Sequence, residues 1–180
     1  LLREQTERLI QMTRTLLEMS NLRQVARNER IQLAPMIEEI FTDLAPLSDK
    51  LGVTLTAEGD GIMTGSDALI YRLIFNLTEN AVKYNRPGGS VRVELAQRQE
   101  KCIIRVSDTG CGIPEDALHK IFTGNYEKTA APVDGTRSNM GIGLSVCAAI
   151  IKAHGSEIFA ENRKSGGAVF RFALERGGDD

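Results

Sequence analysis

The residue pattern predicts an α+β chain built as a two-layer α/β sandwich, with helices packed on one face of a mixed, mostly antiparallel sheet. Three observations carry this. Apolar residues recur at helical spacing in four separate segments. Short alternating segments lie between and after them, and the later ones come in pairs joined by polar or glycine-rich reversals.

The first helix is read from Leu2 to about Leu22, where Leu2, Leu9, Met12, Leu16, Met19 and Leu22 fall on one face among Arg, Glu, Gln and Thr. That face needs a partner. Asn21 to Arg30 is polar and has no turn glycine, so it fits either a helix end or a linker, with a boundary near Arg27. Pro35 opens a second helical pattern through Met36, Ile37, Ile40, Phe41 and Leu44, a first-turn position where proline is tolerated. Pro46 is expected to kink or shorten that helix.

Val53 to Ala57 alternates as a strand does, and Gly59-Asp60-Gly61 supplies the turn after it. Ser66 or Asp67 then caps a third helix, which carries Leu69, Ile70, Leu73, Ile74, Leu77 and Ala81 inward and stops at Asn85-Arg86-Pro87-Gly88-Gly89. Strands are expected over Ser90 to Ala96 and Lys101 to Ser107, leading into the glycine-rich Asp108-Thr109-Gly110-Cys111-Gly112-Ile113-Pro114. Thr123 to Asn139 is polar and too long for an ordinary connection, and is read as a lid. Helix returns from Gly141 to His154. Glu157 to Ala160 and Ala168 to Ala173 close the chain as a hairpin around Lys164-Ser165-Gly166-Gly167.

Composition narrows the function. The length of 180 residues suits one domain with a short appendage. With 22 Lys and Arg against 24 Asp and Glu there is no basic excess to neutralise a phosphate backbone, so nucleic acid is not an expected partner. Cys102, Cys111 and Cys147 are odd in number and widely spaced, which reads as buried or half-buried thiols in a reducing compartment rather than a zinc or disulfide pattern. No apolar run approaches the ~18 residues of a membrane span, so a cytoplasmic location is expected, with any inner-membrane anchor outside this stretch.

Three elements carry chemistry. On the third helix Asn76, Asn80 and Lys83 are three and four residues apart and so share one side. Asparagine carbonyls are neutral hard ligands suited to Mg²⁺, which draws its other ligands from water and nucleotide phosphates, and Lys83 is placed to meet a phosphate. Taken alone, the same residues also fit the solvated face of a surface helix. The second element is Asp108 at a strand end, followed by Gly110 and Gly112, whose backbones permit close approach; a carboxylate there can accept from the exocyclic amine of adenine. The third is Asn139-Met140-Gly141-Ile142-Gly143-Leu144-Ser145, a glycine-rich helix opening of the kind that receives phosphate.

In this order the elements resemble the ATP-binding catalytic domain of sensor histidine kinases. Asn76 with LTENAVKY (Leu77 to Tyr84) resembles the N box, and DTGCGIP (Asp108 to Pro114) the first glycine box. Ile121-Phe122 stands where the F box begins, MGIGLS (Met140 to Ser145) resembles the second glycine box, and Ser165 to Phe170 the last. The resemblance spans roughly Arg30 to Leu174 and implies the Bergerat fold shared with gyrase, Hsp90 chaperones and MutL, with ATP and Mg²⁺ as cofactors. It assigns Asn76 and Asn80 to metal and phosphate, Lys83 and Tyr84 to the nucleotide, and Asp108 to the adenine amine. Gly110, Gly112 and Ile113 then shape the base pocket, while Gly141, Ile142, Gly143 and Leu144 bound the phosphate side. Two positions depart from the family pattern: Thr123-Gly124-Asn125-Tyr126 lacks the second F-box phenylalanine, and Asn139 stands for a glycine. Lys128 and Arg137 are cations within the lid, placed either to reach the γ-phosphate or simply to be solvated.

Relatives that hydrolyse ATP carry a glutamate base where this chain has Asn76. An amide cannot take a proton from water, and Glu79 points about 100° away around the helix, so transfer to a protein histidine is expected instead of hydrolysis. Neither His119 nor His154 lies on the first helix. Residues 1–27 resemble the second helix of a dimerisation and phosphotransfer domain plus linker, and residues 28–176 the catalytic domain. The expected partners are ATP, the histidine-bearing dimerisation domain of the same kinase in a homodimer, and a response regulator. The alternatives are a serine kinase or anti-sigma factor of the same fold, or a degenerate interaction module that binds no nucleotide.

Overall fold

The computed structural model describes residues 2–123 and 140–177. In chain order they form α1 (Leu2–Asn21), a 3-10 turn (Leu22–Gln24), β1 (Glu29–Gln32), α2 (Leu33–Leu51), β2 (Thr54–Glu58), β3 (Ile62–Gly65), α3 (Asp67–Lys83), β4 (Ser90–Arg98), β5 (Lys101–Asp108), a 3-10 turn (Glu115–Ala117), α4 (Met140–Ala153), β6 (Ile158–Asn162) and β7 (Ala168–Glu175). Five strands make one sheet in the order β2-β4-β5-β7-β6, with β2 parallel to β4 and every other pairing antiparallel. The parallel pair follows from α3 lying between β2 and β4 in the chain, since parallel neighbours need a crossover.

The sheet alternates as the period-2 pattern requires. Val91, Val93 and Leu95 of β4, Cys102, Ile104 and Val106 of β5, and Phe170, Phe172 and Leu174 of β7 are buried, while Arg92, Arg105 and Arg171 between them are exposed. Against the buried face pack Ile37, Ile40 and Leu44 of α2, Ile70, Leu73, Ile74 and Leu77 of α3, and Ile150 and Ile151 of α4. Each such side chain stabilises the fold by roughly 1.5–3 kcal/mol through burial. The predicted two-layer sandwich is the observed one.

Element ends follow local chemistry. Ser66 caps α3, its Oγ accepting from the Leu69 N–H at 3.4 Å. Helix α2 stops at Gly52, whose φ of 67° is left-handed. Pro46 does not shorten α2, which runs on to Leu51. Pro46 and Thr42 are both exposed, so the carbonyl left without a helical donor lies on the water side.

Two strands were not legible in the sequence. β1 and β3 pair antiparallel as a small separate sheet, Ile31 opposite Met63. Each has four residues, too few for a pattern to show. Gly59-Asp60-Gly61 therefore closes no hairpin but carries the chain from the large sheet to the small one.

Among the described side chains, helix α1 meets the core at its C-terminal end. Leu22 is buried and Met19 packs against the core, whereas Leu2, Leu9 and Leu16 are 82%, 63% and 67% exposed. No helix among the described residues is long and apolar enough to cross a membrane.

Candidate functional site

The polar side of α3 faces the start of α4. Asn76, Asn80, Lys83 and Tyr84 are all half-buried. Asn80 stands opposite Gly143, where a Cβ would lie 4.0 Å from the Asn80 Nδ2. One turn back, Asn76 hydrogen-bonds the Cys147 thiol, which itself donates to the Leu73 carbonyl at 3.8 Å. Residue numbers rise along α3 as they fall along α4, so the two helices run in opposite directions and the amides sit at their seam. Burial pushes the Cys147 thiol up to about 12 and the Cys102 thiol up to about 11, which keeps both protonated and inert. Cys111 departs from the buried reading: it is exposed, within the glycine loop.

Lys83 is not presented alone. Its Nζ lies 3.4 Å from the Glu79 Oε1 one turn earlier, with both side chains about 30% exposed (27% and 31%). The pair is an i,i+4 ion pair on a partly wet surface, worth a few tenths of a kcal/mol at ~0.3–0.5, so a phosphate can displace it.

At the C-terminal end of α3 the chain also meets the glycine loop. Asp108 is 8% exposed and its Oδ1 accepts from the Gly110 N–H at 2.8 Å and the Ala168 N–H at 3.2 Å. Gly110 abuts the Tyr84 carbonyl so closely that a Cβ would come within 2.3 Å of it. Thr109 donates to the Asn85 Oδ1 at 2.9 Å and accepts from the Ser90 N–H at 2.9 Å. Asn85, 4% exposed, also donates to the Ser90 carbonyl at 2.9 Å. The last turn of α3 and the glycine loop are thus one hydrogen-bonded unit.

The β6–β7 hairpin holds the loop from its other side. Arg163 donates to the Asp108 carbonyl at 2.9 Å, and Asn162 makes two bonds to the backbone of Ile113, accepting at 2.8 Å and donating at 2.6 Å. Gly167, at φ 87°, passes so near the Asp108 carbonyl that a Cβ would sit 1.9 Å from it; only glycine fits. Ile113 and Leu144 are buried at 4% and 0% and belong to the hydrophobic core cluster. Asn85, Thr109, Asn162 and Arg163 were not singled out by the sequence, because nothing local marks a hydrogen bond to a residue far along the chain.

Ile121 is fully buried and Phe122 packs edge-on to Phe170 at 6.2 Å, which anchors the start of the F box. The lid reading from Gly124 to Asn139, with Tyr126, Lys128, Arg137 and Asn139, lies outside the described residues. Gly141 and Ile142 fall in the first turn of α4. Among the described residues no cluster of three or more His, Cys, Asp or Glu is placed to hold a metal, so a cation here would depend on the Asn76 and Asn80 amides, water and the ligand's own oxygens.

Of the two histidines, His154 has both ring nitrogens engaged. Its Nε2 accepts from the Ser66 N–H at 3.1 Å and its Nδ1 lies 2.8 Å from the Ile150 carbonyl, which requires the neutral Nδ1–H tautomer. Burial holds its pKa below the ordinary value of 6.5, and nearby Arg27 acts the same way. His154 therefore ties the end of α4 to the start of α3. His119 is exposed.

The family model for histidine kinase-, DNA gyrase B- and HSP90-like ATPases matches residues 65–178. The chain belongs to this family. As a member it is an ATP-binding domain of histidine kinase type, homologous to two-component sensor kinases. It is 30% identical over 179 residues to the sensor protein KdpD of Clostridium acetobutylicum, covering 96% of this chain and 20% of that protein. It is 33% identical over 141 residues to the adaptive-response sensory kinase SasA of Synechococcus sp. strain JA-3-3Ab, covering 78% of this chain and 36% of that one. The chain thus spans a fifth to a little over a third of these relatives. The nucleotide-free catalytic domain of histidine kinase ThkA shares the fold at a TM-score of 0.73 and 26% identity, covering 84% of this chain and 97% of that one. ThkA in complex with the response regulator TrrA matches at 0.78 and 23% identity over 97% of this chain and 49% of that one, a likeness of fold alone.

Proposed function

We propose that this domain binds Mg²⁺-ATP at the seam of α3 and α4 and passes the γ-phosphoryl group to a histidine on the dimerisation domain of its own kinase, for relay to a response regulator. Residues 1–27 then belong to the dimerisation helix and linker, and residues 28–176 form the catalytic domain, acting within a cytoplasmic homodimer. The single observation that carries the reading is the junction of Asn80 with Gly143 at one end and the buried, backbone-held Asp108 at the other, joined through Tyr84 and Gly110. That spacing suits phosphates at the glycine-rich helix start and a base against Asp108. Sensor-kinase relatives support the partners.

Asn76 and Asn80 are the residues that would hold Mg²⁺, whose contribution when bound is to neutralise phosphate charge. Asp108 orients the base, and Gly110 and Gly112 let the backbone approach it. Lys83 leaves Glu79 for a phosphate oxygen. In the transfer the imidazole nitrogen of the acceptor attacks the γ-phosphorus, the bond from that phosphorus to the β,γ-bridging oxygen breaks, and ADP departs. Among the described residues hydrolysis has no placed base, because Asn76 is an amide and Glu79 points about 100° away around the helix. His154 is not the acceptor, since its nitrogens are committed to Ser66 and Ile150.

Calorimetric titration with a non-hydrolysable ATP analogue, with and without Mg²⁺, tests this directly. Binding that strengthens with the metal and weakens about tenfold or more in Asp108→Asn at unchanged folding is the expected result. Absence of binding by the parent chain would overturn it.

A further inference from the structure

The glycine loop that carries Asp108 has an unusual support. Its distal end, Ile113, makes no strand pairing, yet its N–H and carbonyl are both satisfied by one side chain, Asn162 at the end of β6. A carboxamide presents an acceptor and a donor side by side, as a peptide group does, so Asn162 imitates the next residue pair of a sheet ladder. Gly112, at φ 72°, lies under the same amide, where a Cβ would come within 2.9 Å of the Asn162 Oδ1. The following residue, Arg163, holds the Asp108 carbonyl at the near end of the loop. One hairpin end therefore grips the loop at both of its ends, five residues apart, and leaves Gly110 to Gly112 bowed between them.

From this we infer that Asn162 is a positioning residue for the nucleotide base: it touches no nucleotide itself but fixes the curve of the loop that shapes the base pocket. The inference rests on the ATP reading of the preceding section. Asn162 is exposed apart from its amide contacts, and its backbone pairing with Ala168 does not depend on the side chain, so truncating it opens no cavity. Its effect should accordingly appear in base recognition and not in folding. An aspartate there would keep an acceptor for the Ile113 N–H and lose the donor to the Ile113 carbonyl.

The test compares the parent chain, Asn162→Ala and Asn162→Asp by calorimetric titration with ADP and with GDP, alongside thermal melting and amide exchange. In Asn162→Ala the affinity for ADP falls about tenfold, as loss of one or two net hydrogen bonds implies, and the preference for ADP over GDP shrinks. The Ile113 amide loses exchange protection while the Ala168 amide keeps it, and the melting temperature stays within a few degrees. Asn162→Asp retains protection at Ile113 but still binds ADP more weakly than the parent. Unchanged ADP affinity and selectivity in Asn162→Ala would overturn the inference while leaving the ATP reading intact. A parent chain that takes up neither nucleotide would overturn the ATP reading, and the positioning role would fall with it.

Discussion

Helices α1 and α3 carry apolar stripes of similar design and meet opposite fates. In α3 Ile70, Leu73, Ile74 and Leu77 are fully buried, whereas in α1 Leu2, Leu9 and Leu16 are largely exposed and, among the described side chains, Met19 and the following Leu22 reach the core. The difference is in what the rest of the chain offers. Helix α3 lies between a sheet and two helices, is capped by Ser66, is tied to α4 by His154 and runs into the glycine loop through Asn85 and Thr109. Among the described residues, the main contacts of helix α1 are with α4 and with the turn that follows α1. Amphipathicity states a need for burial; tertiary partners decide whether it is met.

The comparison breaks most visibly in the core. Leu73→Ala should destabilise the domain by about 2–5 kcal/mol in urea unfolding, since it removes a fully buried side chain from a packed interior. A loss below about 1 kcal/mol would mean that the α3 stripe is less confined than its burial indicates. Two turns further along the same helix Asn80→Ala should leave the melting temperature nearly unchanged and remove most of the Mg²⁺ enhancement of nucleotide binding, an effect of about tenfold. A retained metal effect would take Asn80 out of the metal site.

The tie between α3 and α4 predicts a pH dependence with a definite sign. The folded imidazole of His154 has its pKa held below 6.5, so as pH falls the unfolded chain binds this proton first. The stabilisation is complete above about pH 6.5 and declines below it. His154→Gln should flatten that part of the slope when urea midpoints are compared at acid and neutral pH. An equal slope in both proteins would show that other groups cause it. The smallest effect is expected from Leu16→Ala, within about 0.5 kcal/mol by the same unfolding measurement, because this side chain is already in water; a larger loss would reveal a partner for α1.

Much of this could be read before any coordinates. Helix α3 followed from its apolar spacing and its Ser66 cap, β4 and β5 from their alternation, and the later hairpin from the glycine turn at Gly166-Gly167. Pro46 did not shorten α2, because the carbonyl it orphans on Thr42 lies on the exposed side of the helix, where water can bond it. β1 and β3 escaped notice because four residues on each side hold too little periodicity.

The sequence by itself determined the longer elements and the order of the boxes, since periodicity, capping and turn chemistry act between near neighbours. Tertiary structure alone decided which polar groups meet: Thr109 with Asn85, 24 residues apart, and Asn162 with Ile113, 49 residues apart. It also decided that Ile113 and Leu144 are buried. Such pairings depend on the sheet closing and bringing distant segments within about 3 Å of one another, a range at which hydrogen bonds form and which no local pattern encodes.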